Sequence, residues 1–405
     1  MKTRLLIYLI LSVVLMQVHA TGAMAASPTP QTIPFGAVIS MSGPLSNLGQ
    51  QIKAGYEIAA EDINRTGGVF VKEYGQKIPL EVIVLDTESA AMKVVSRMEW
   101  LYTSKKVVAY GGEGLIALTG QGVAEKNKIP TFAIAAPLYT PHERGLKYWF
   151  SPFAKSQDIA RNISDVLDTA PAEKRAKTVA IFQEHEEWPI EQAEAFRKEV
   201  LQRGYKVVVF EKYPRITKDF SPLITAAKNA GAEVVFSAPV APDGMTMMRQ
   251  MKELDYNPQA VVVLRGAEDL SWGKALGPVG DYVILAGMSW HHHLNYPGVD
   301  KLNAAFQSKF GRPADLMTGS AHATIQILAA AIEKAGTLDT TKIRDAISAT
   351  DMMTVMGKIR FRPNGTLIDP CPAVVQWLAG DRKLVWPKEF RETPFVYPTP
   401  PWKER

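Results

Sequence analysis

Short β-rich runs alternate with amphipathic helical patterns from residue 33 onward, and this alternation restricts the fold more than any single motif does. IPFGAVIS gives way to the helical pattern LGQQIKAGYEIAAEDIN, which Gly67 and Gly68 bring to a stop. PLEVIVLD follows, then a helix through MKVVSRMEWLY, the run VVAYGG, a helix ending near KNK, and TFAIA. The alternation pauses at YWFSP (148–152) and resumes with TVAIFQE, EQAEAFRKEVLQRG, YKVVVFEKY and LITAAKNAG. EVVFSA, MTMMRQMKELD, AVVVLR and DYVILAG complete the second set. Apolar strands separated by helices predict parallel sheets covered on both faces, an α/β fold. A chain of 405 residues is too long for one core and suits two such units with a cleft between them. Ligands of open α/β sheets sit beyond the C-terminal strand ends. Here those ends carry Ser40–Gly43, Gly111–Glu113, Ala136–Tyr139, Gln183–Trp188, Ala238–Val240 and Arg265.

The N-terminus predicts export. Lys2 and Arg4 precede the apolar run Leu5 to Val18, and Ala23-Met24-Ala25 supplies small residues for cleavage, so 1–25 reads as a signal peptide. The run is too short for a comfortable membrane span, and no membrane insertion is expected after cleavage. Cys371 is the only cysteine, which excludes a disulfide within the chain and argues against a zinc site built on cysteines. No cysteine follows the apolar run to accept a lipid. Net charge is +5, with Lys2 and Arg4 in the segment expected to be removed and the rest evenly spread. That balance, without a basic helical stripe, argues against nucleic-acid binding.

Catalytic signatures are missing. Gly287-Met288-Ser289-Trp290-His291 lacks the closing glycine of a nucleophile elbow, and Gly120-Gln121-Gly122 lacks the third glycine of a dinucleotide loop. There is no phosphate loop, and Cys371 has no histidine close in sequence. His291-His292-His293 resembles a metal cluster, but on an extended strand only His291 and His293 share a face, and no carboxylate motif completes a site. The reading is of a protein without catalysis, metal or cofactor.

Taken in order, several segments resemble the branched-chain amino-acid (Leu/Ile/Val) type of periplasmic solute-binding protein that serves ABC importers. They are IPFGAVISMSGPLSNLGQQIKAGYEIAAEDINRTGGV, KDFSPLITAAKNAGAEVVFSA, HATIQILAAAIEKAG, MGKIRFRPNG and VVQWLAGDRK. The resemblance spans nearly all of the chain after the signal segment. It implies two Rossmann-like lobes joined by three crossovers, a ligand in the cleft between them, and no catalysis. It places lobe one at 33–152 with 288–362 and lobe two at 153–287 with 363–392, leaving 393–405 as a tail. It further implies a periplasmic location, action as a monomer, and a membrane permease as partner. A ligand sensor of the same fold, without transport, is the alternative.

The resemblance also implies site residues, and here this chain departs from the pattern. Amino-acid binders of the family hold the ligand carboxylate with serine and threonine, and its ammonium with acidic and carbonyl oxygens. The serine-rich loop is here Glu113-Gly114-Leu115-Ile116-Ala117, without hydroxyls, and the next loop is Ala136-Pro137-Leu138-Tyr139-Thr140. The aromatic cover falls on Trp188, and the acid expected at the ammonium falls on or beside Arg265. An arginine there would repel an ammonium and can grip a carboxylate with two parallel hydrogen bonds. Arg265 is therefore expected either to bind a ligand acid or to pair with Glu268 or Asp269. Trp188, Tyr139, Trp290 and His291 would give the pocket an aromatic wall. Ser42 and Asn47 would cap the first helix or meet an anion. The expected ligand is a small carboxylate, an aromatic acid first and a dicarboxylate or amide-bearing acid second. A branched-chain or other amino acid is the alternative.

Overall fold

The computed structural model describes residues 28–114, 116–285 and 290–405. The expected signal segment, 1–25, lies outside them, as do Leu115 and residues 286–289. The chain opens with β1 (Ile33–Ile39), α1 (Ser46–Asn64), a hairpin of β2 (Val69–Val71) and β3 (Gln76–Ile78), and β4 (Leu80–Asp86). It continues through α2 (Val94–Trp100), β5 (Ala109–Glu113), α3 (Gln121–Asn127), β6 (Thr131–Ile134) and β7 (Trp149–Phe150). Outside the hairpin these strands form one parallel sheet in the order β4-β1-β5-β6-β7.

The chain then crosses to a second sheet. α4 (Ser156–Leu167), β8 (Thr178–Glu184), α5 (Glu187–Gln202), β9 (Lys206–Tyr213) and α6 (Ser221–Asn229) come first. β10 (Val234–Ser237), α7 (Ala241–Glu253), β11 (Ala260–Val263), α8 (Ser271–Leu276) and β12 (Val283–Leu285) follow. After β12 the chain returns to the first layer as α9 (Val299–Phe310) and α10 (Thr318–Ala335), which pack on α1. α11 (Thr340–Ser348) and the hairpin β13 (Asp351–Thr354) with β14 (Gly357–Arg360) lead back once more. β15 (Val374–Leu378) and β16 (Asp381–Trp386) then add antiparallel strands to the second sheet, ordered β16-β15-β12-β11-β10-β8-β9.

Burial explains why the apolar runs became strands. Central β10 and β11 are buried at every position, because helices cover both faces of a parallel sheet. β9 lies at the edge, and there Lys206, Glu211 and Lys212 face solvent, which blunts an otherwise sticky rim. Gly49 sets how closely α1 approaches the tip of β1. A Cβ there would lie 1.9 Å from the Ser40 carbonyl oxygen, so only glycine lets the helix start hang over the strand end. No helix among the described residues is long and apolar enough to cross a membrane.

Candidate functional site

The C-terminal ends of both parallel sheets meet. Glu191 of α5, beside the second sheet, accepts hydrogen bonds from the Tyr139 and Thr140 amides (2.8 and 3.2 Å) and the Thr140 hydroxyl (2.7 Å), beyond β6 of the first. A cavity of about 410 Å³ opens between the two sets of tips. Pro44, Leu45 and Leu48 at the start of α1, with Leu316 and Met317, form its apolar wall on the first-sheet side. Val240 and Ala241 face them from the second. Arg215, Arg265, Glu268, Asp269 and Asp315 supply its charges.

Arg265 follows β11 in a left-handed conformation (φ +56°) that few non-glycine residues adopt. Its guanidinium does not turn to Glu268 or Asp269. It reaches back across β10 to Glu184 (2.7 Å) and Glu186 (3.1 Å), and it donates to the carbonyls of Ala238 (3.1 Å) and Pro239 (3.3 Å). It also lies 5.6 Å from the centre of the Trp188 ring. Only the backbone amide of Arg265 meets Glu268, at 3.3 Å, while Asp269 accepts from the Ser271 amide. Arg215 binds the other oxygen of Glu186 at 2.6 Å, completing an alternating chain Arg215–Glu186–Arg265–Glu184. Burial pushes the Glu184 carboxyl up against the pull of Arg265. Burial also acts on Glu186, where the bonds and charges of Arg265 and Arg215 outweigh it and hold the carboxyl below its ordinary value.

Around the cavity the acids are similarly engaged. Asp315 is gripped by Arg382 (2.7 Å) and Arg312 (3.0 Å), and burial pushes the Glu268 carboxyl up to about 7. α1, in contrast, begins without any side-chain cap, so its first-turn amides lack the usual side-chain acceptor at the cavity wall.

Of the residues singled out from the sequence, Asn47, Arg265, Glu268 and Asp269 line this cavity. Trp188 is buried beneath Arg265, and its Nε1 has no hydrogen-bond partner among the described residues. Tyr139 is half-buried, its hydroxyl accepting from the Asn364 amide at 3.2 Å. Ala136 is buried, and its carbonyl accepts from Lys155 Nζ at 2.5 Å. Glu113 is fully buried at the end of β5, with one oxygen accepting from the Ser40 amide at 2.7 Å and the other without a partner among the described residues.

Two expectations need correction. Trp290 gives the cavity no aromatic face. It is wholly buried against Gly319, which has no Cβ to displace it, and its indole donates to the Val355 carbonyl at 2.9 Å. The histidines do not alternate between faces either, because residues 290–294 are not a strand. Their rings stack, His291 on His292 at 4.3 Å and His292 near His293 at 4.6 Å, with Glu392 Oε1 3.2 Å from His293 Nε2. His291 and His292 line a separate cavity of about 200 Å³ with Trp377 and Arg382. Burial lowers the His291 ring well below its ordinary range, and the neighbouring rings add to this. Among the described residues no cluster of three metal-ligating side chains forms.

Ser42 does not cap α1. Its hydroxyl donates to Asp86 at 2.7 Å, and with the amides of Met41, Ser42 and Glu88 it overcomes burial and holds that carboxyl down to about 2. Ser42→Ala should therefore cost about 0.5–1 kcal/mol, read as a lower urea midpoint, without fraying the helix. The walls of this cavity are aliphatic, with no aromatic residue among those that line it. Arg215, Glu184 and Glu186 were not singled out individually, although Glu184 and Glu186 fall in the Gln183–Trp188 stretch. Arg215 stands two residues beyond β9, where the strand-end rule could have found it.

A family model described as periplasmic binding protein matches residues 32–382. The Leu/Ile/Val-binding protein homolog 7 of Brucella suis is 27% identical over 389 residues, covering 89% of this chain and 93% of its own. Among solved structures, a putative branched-chain amino acid ABC transporter from Silicibacter pomeroyi superposes with a TM-score of 0.81 at 17% identity, covering 91% of this chain and 99% of that one. A solute-binding protein from R. palustris in complex with benzoate gives 0.70 at 16% identity, over 87% of this chain and 95% of its own. Both likenesses are of fold.

Proposed function

The chain belongs to the periplasmic binding protein family, and from that premise we propose that its solute is a small carboxylate with an apolar body, an aromatic acid before others. The observation that carries this reading is the cavity between the sheet ends. There the uncapped start of α1 faces Arg215 and Arg265 across aliphatic walls. Helix N-termini and arginines both favour an anion, and the aliphatic walls suit an apolar body. A volume of about 410 Å³ is at the small end of ligand sites and fits a solute of that size. The benzoate complex of the R. palustris protein shows that this fold can hold an aromatic acid.

Capture follows from the two-lobe architecture. Lobes of 33–152 with 288–362 and 153–287 with 363–392 close on the solute, exclude water, and present the closed form to a membrane permease. The protein acts as an exported monomer in the periplasm. A releasable grip corresponds to a Kd on the order of 1 μM, about −8 kcal/mol.

A second reading, a branched-chain amino acid, is favoured by the relative's name and by the acids around Arg265. A thermal-shift screen of the purified protein separates the two. Benzoate and 4-methylpentanoate should raise the melting temperature by several degrees at millimolar concentration. Stabilisation by leucine or valine with no response to the acids would select the second reading.

A further inference from the structure

Arg215 and Arg265 both line the cavity, whereas Glu184 and Glu186, the acids that pair with them, do not. The ion-pair chain therefore turns its cationic members toward the space between the sheet ends. The two arginines differ in what they have left to offer. Of the five N–H groups of Arg265 four are taken: Nε by the Pro239 carbonyl, Nη1 by Glu186, and Nη2 by Glu184 and the Ala238 carbonyl. No adjacent pair remains for a further carboxylate. Arg215 is half-exposed and donates only through Nη1, to Glu186 at 2.6 Å. Its Nε and Nη2, which share the other edge of the guanidinium, have no partner among the described residues.

Arg215 is also held in place. It lies just beyond β9 in the turn 214–217, which the Thr217 hydroxyl closes by donating to the Pro214 carbonyl at 2.5 Å. Ile216 takes a left-handed conformation (φ +65°) that is rare for a β-branched residue, and at 73% exposure packing does not account for it. Asp243 does. This residue is 2% exposed in the first turn of α7, and its Oδ2 accepts from the amides of Ile216 (2.8 Å) and Thr217 (3.3 Å). α7 opens on Ala241 and Pro242 at the cavity wall, so the turn is tied to the frame of the cavity itself. Strained backbone that its surroundings hold in place clusters at ligand clamps.

We propose that Arg215 grips the carboxylate of the solute through Nε and Nη2, that Asp243 positions it, and that Arg265 braces the wall behind. This rests on a carboxylate solute binding between the sheet ends, and it holds with or without an amino group on that solute. A guanidinium bonded to Glu186 through one nitrogen keeps its opposite edge free for two parallel hydrogen bonds. Across the cavity, Asn47 and Leu48 in the uncapped first turn of α1 favour the same sign of charge. An arginine that merely pairs with Glu186 at the surface predicts no effect on solute binding.

The test is calorimetry of the purified protein with 4-methylpentanoate, L-leucine and the neutral 4-methylpentanamide. The parent should bind a carboxylate more tightly than the amide. Arg215→Gln should loosen whichever carboxylate the parent holds by about tenfold to a hundredfold, the value of hydrogen bonds to a charged group, and leave the amide unchanged. It should melt within about 2 °C of the parent, since Arg265 still holds Glu186. Arg215→Lys, with one head for two carboxylates, should recover only part of the affinity. Asp243→Ala should loosen the carboxylate in the parent and add nothing in R215Q, the mark of a residue that acts through Arg215. Carboxylate affinity in R215Q equal to that of the parent overturns the proposal and leaves the carboxylate reading standing. So does an equal loss of acid and amide with a lower melting temperature, which marks a structural role. A parent that binds the amide as well as either carboxylate overturns the carboxylate reading and this proposal with it.

Discussion

Arg265→Ala should lower the melting temperature by on the order of 10 °C, in the absence of any solute. The reason is Glu184, whose side chain is fully buried and whose charged partner is Arg265 at 2.7 Å. Removing one member of a buried pair strands the other, at a cost of about 3–5 kcal/mol. In a lobe of this size each kcal/mol is worth roughly 2–4 °C. Glu186 suffers less, since Arg215 still holds it. Arg265→Lys should recover little, because one ammonium cannot reach Glu184, Glu186, Ala238 and Pro239 together. Adding Glu184→Gln to the alanine variant should restore part of the loss, and the double-mutant cycle gives the coupling. The deficit should also be smaller at pH 5 than at pH 8. A stranded Glu184 is pushed further up than the paired one, and its protonated form is cheap to bury. Melting curves of the four proteins at both pH values measure this. If Arg265→Ala melts within 2 °C of the parent yet loses acid binding, Arg265 is a solute clamp and its bonds to the glutamates contribute little.

How far this site could be read from the sequence is clear from Arg265. Its position at a strand end was legible, because AVVVLR is an apolar run that stops on a cation. Both sheets were legible for the same reason, since buried parallel strands write themselves as such runs. The partners were not. Glu184 and Glu186 lie 81 and 79 residues earlier, and they meet Arg265 only because β8, β10 and β11 are consecutive in the sheet. Reasoning along the chain could weigh only Glu268 and Asp269. His291 to His293 failed differently, because the inference assumed an extended strand that the chain does not form there.

Glu113→Gln should raise stability by about 2–3 kcal/mol at pH 8 and leave it unchanged near pH 4.5. Glu113 is fully buried, and burial pushes its carboxyl from 4.5 to about 7 against the bonds from Ser40. As pH rises from 4.5 the unfolded chain gives up this proton while the folded protein keeps it. The native state then binds more protons, so stability falls with pH and levels off only above about 7. A shift of that size amounts to about 3 kcal/mol. Glutamine keeps an acceptor for the Ser40 amide, and the oxygen it replaces has no partner among the described residues to lose. The slope is hidden in the parent protein, because buried His142, His292 and His322 oppose it. Burial lowers their rings to about 3, 4 and 4, so their contribution is lost as pH falls below 6.5. Only the difference between variant and parent isolates Glu113, measured as urea unfolding across pH 4.5 to 8. A variant less stable than the parent at pH 8, with a parallel slope, would mean that Glu113 is ionised and well partnered when folded. If Glu113 does retain its proton, it adds no negative charge to the strand ends at pH 6, and the positive charge of the cavity wall comes from Arg215 and Arg265.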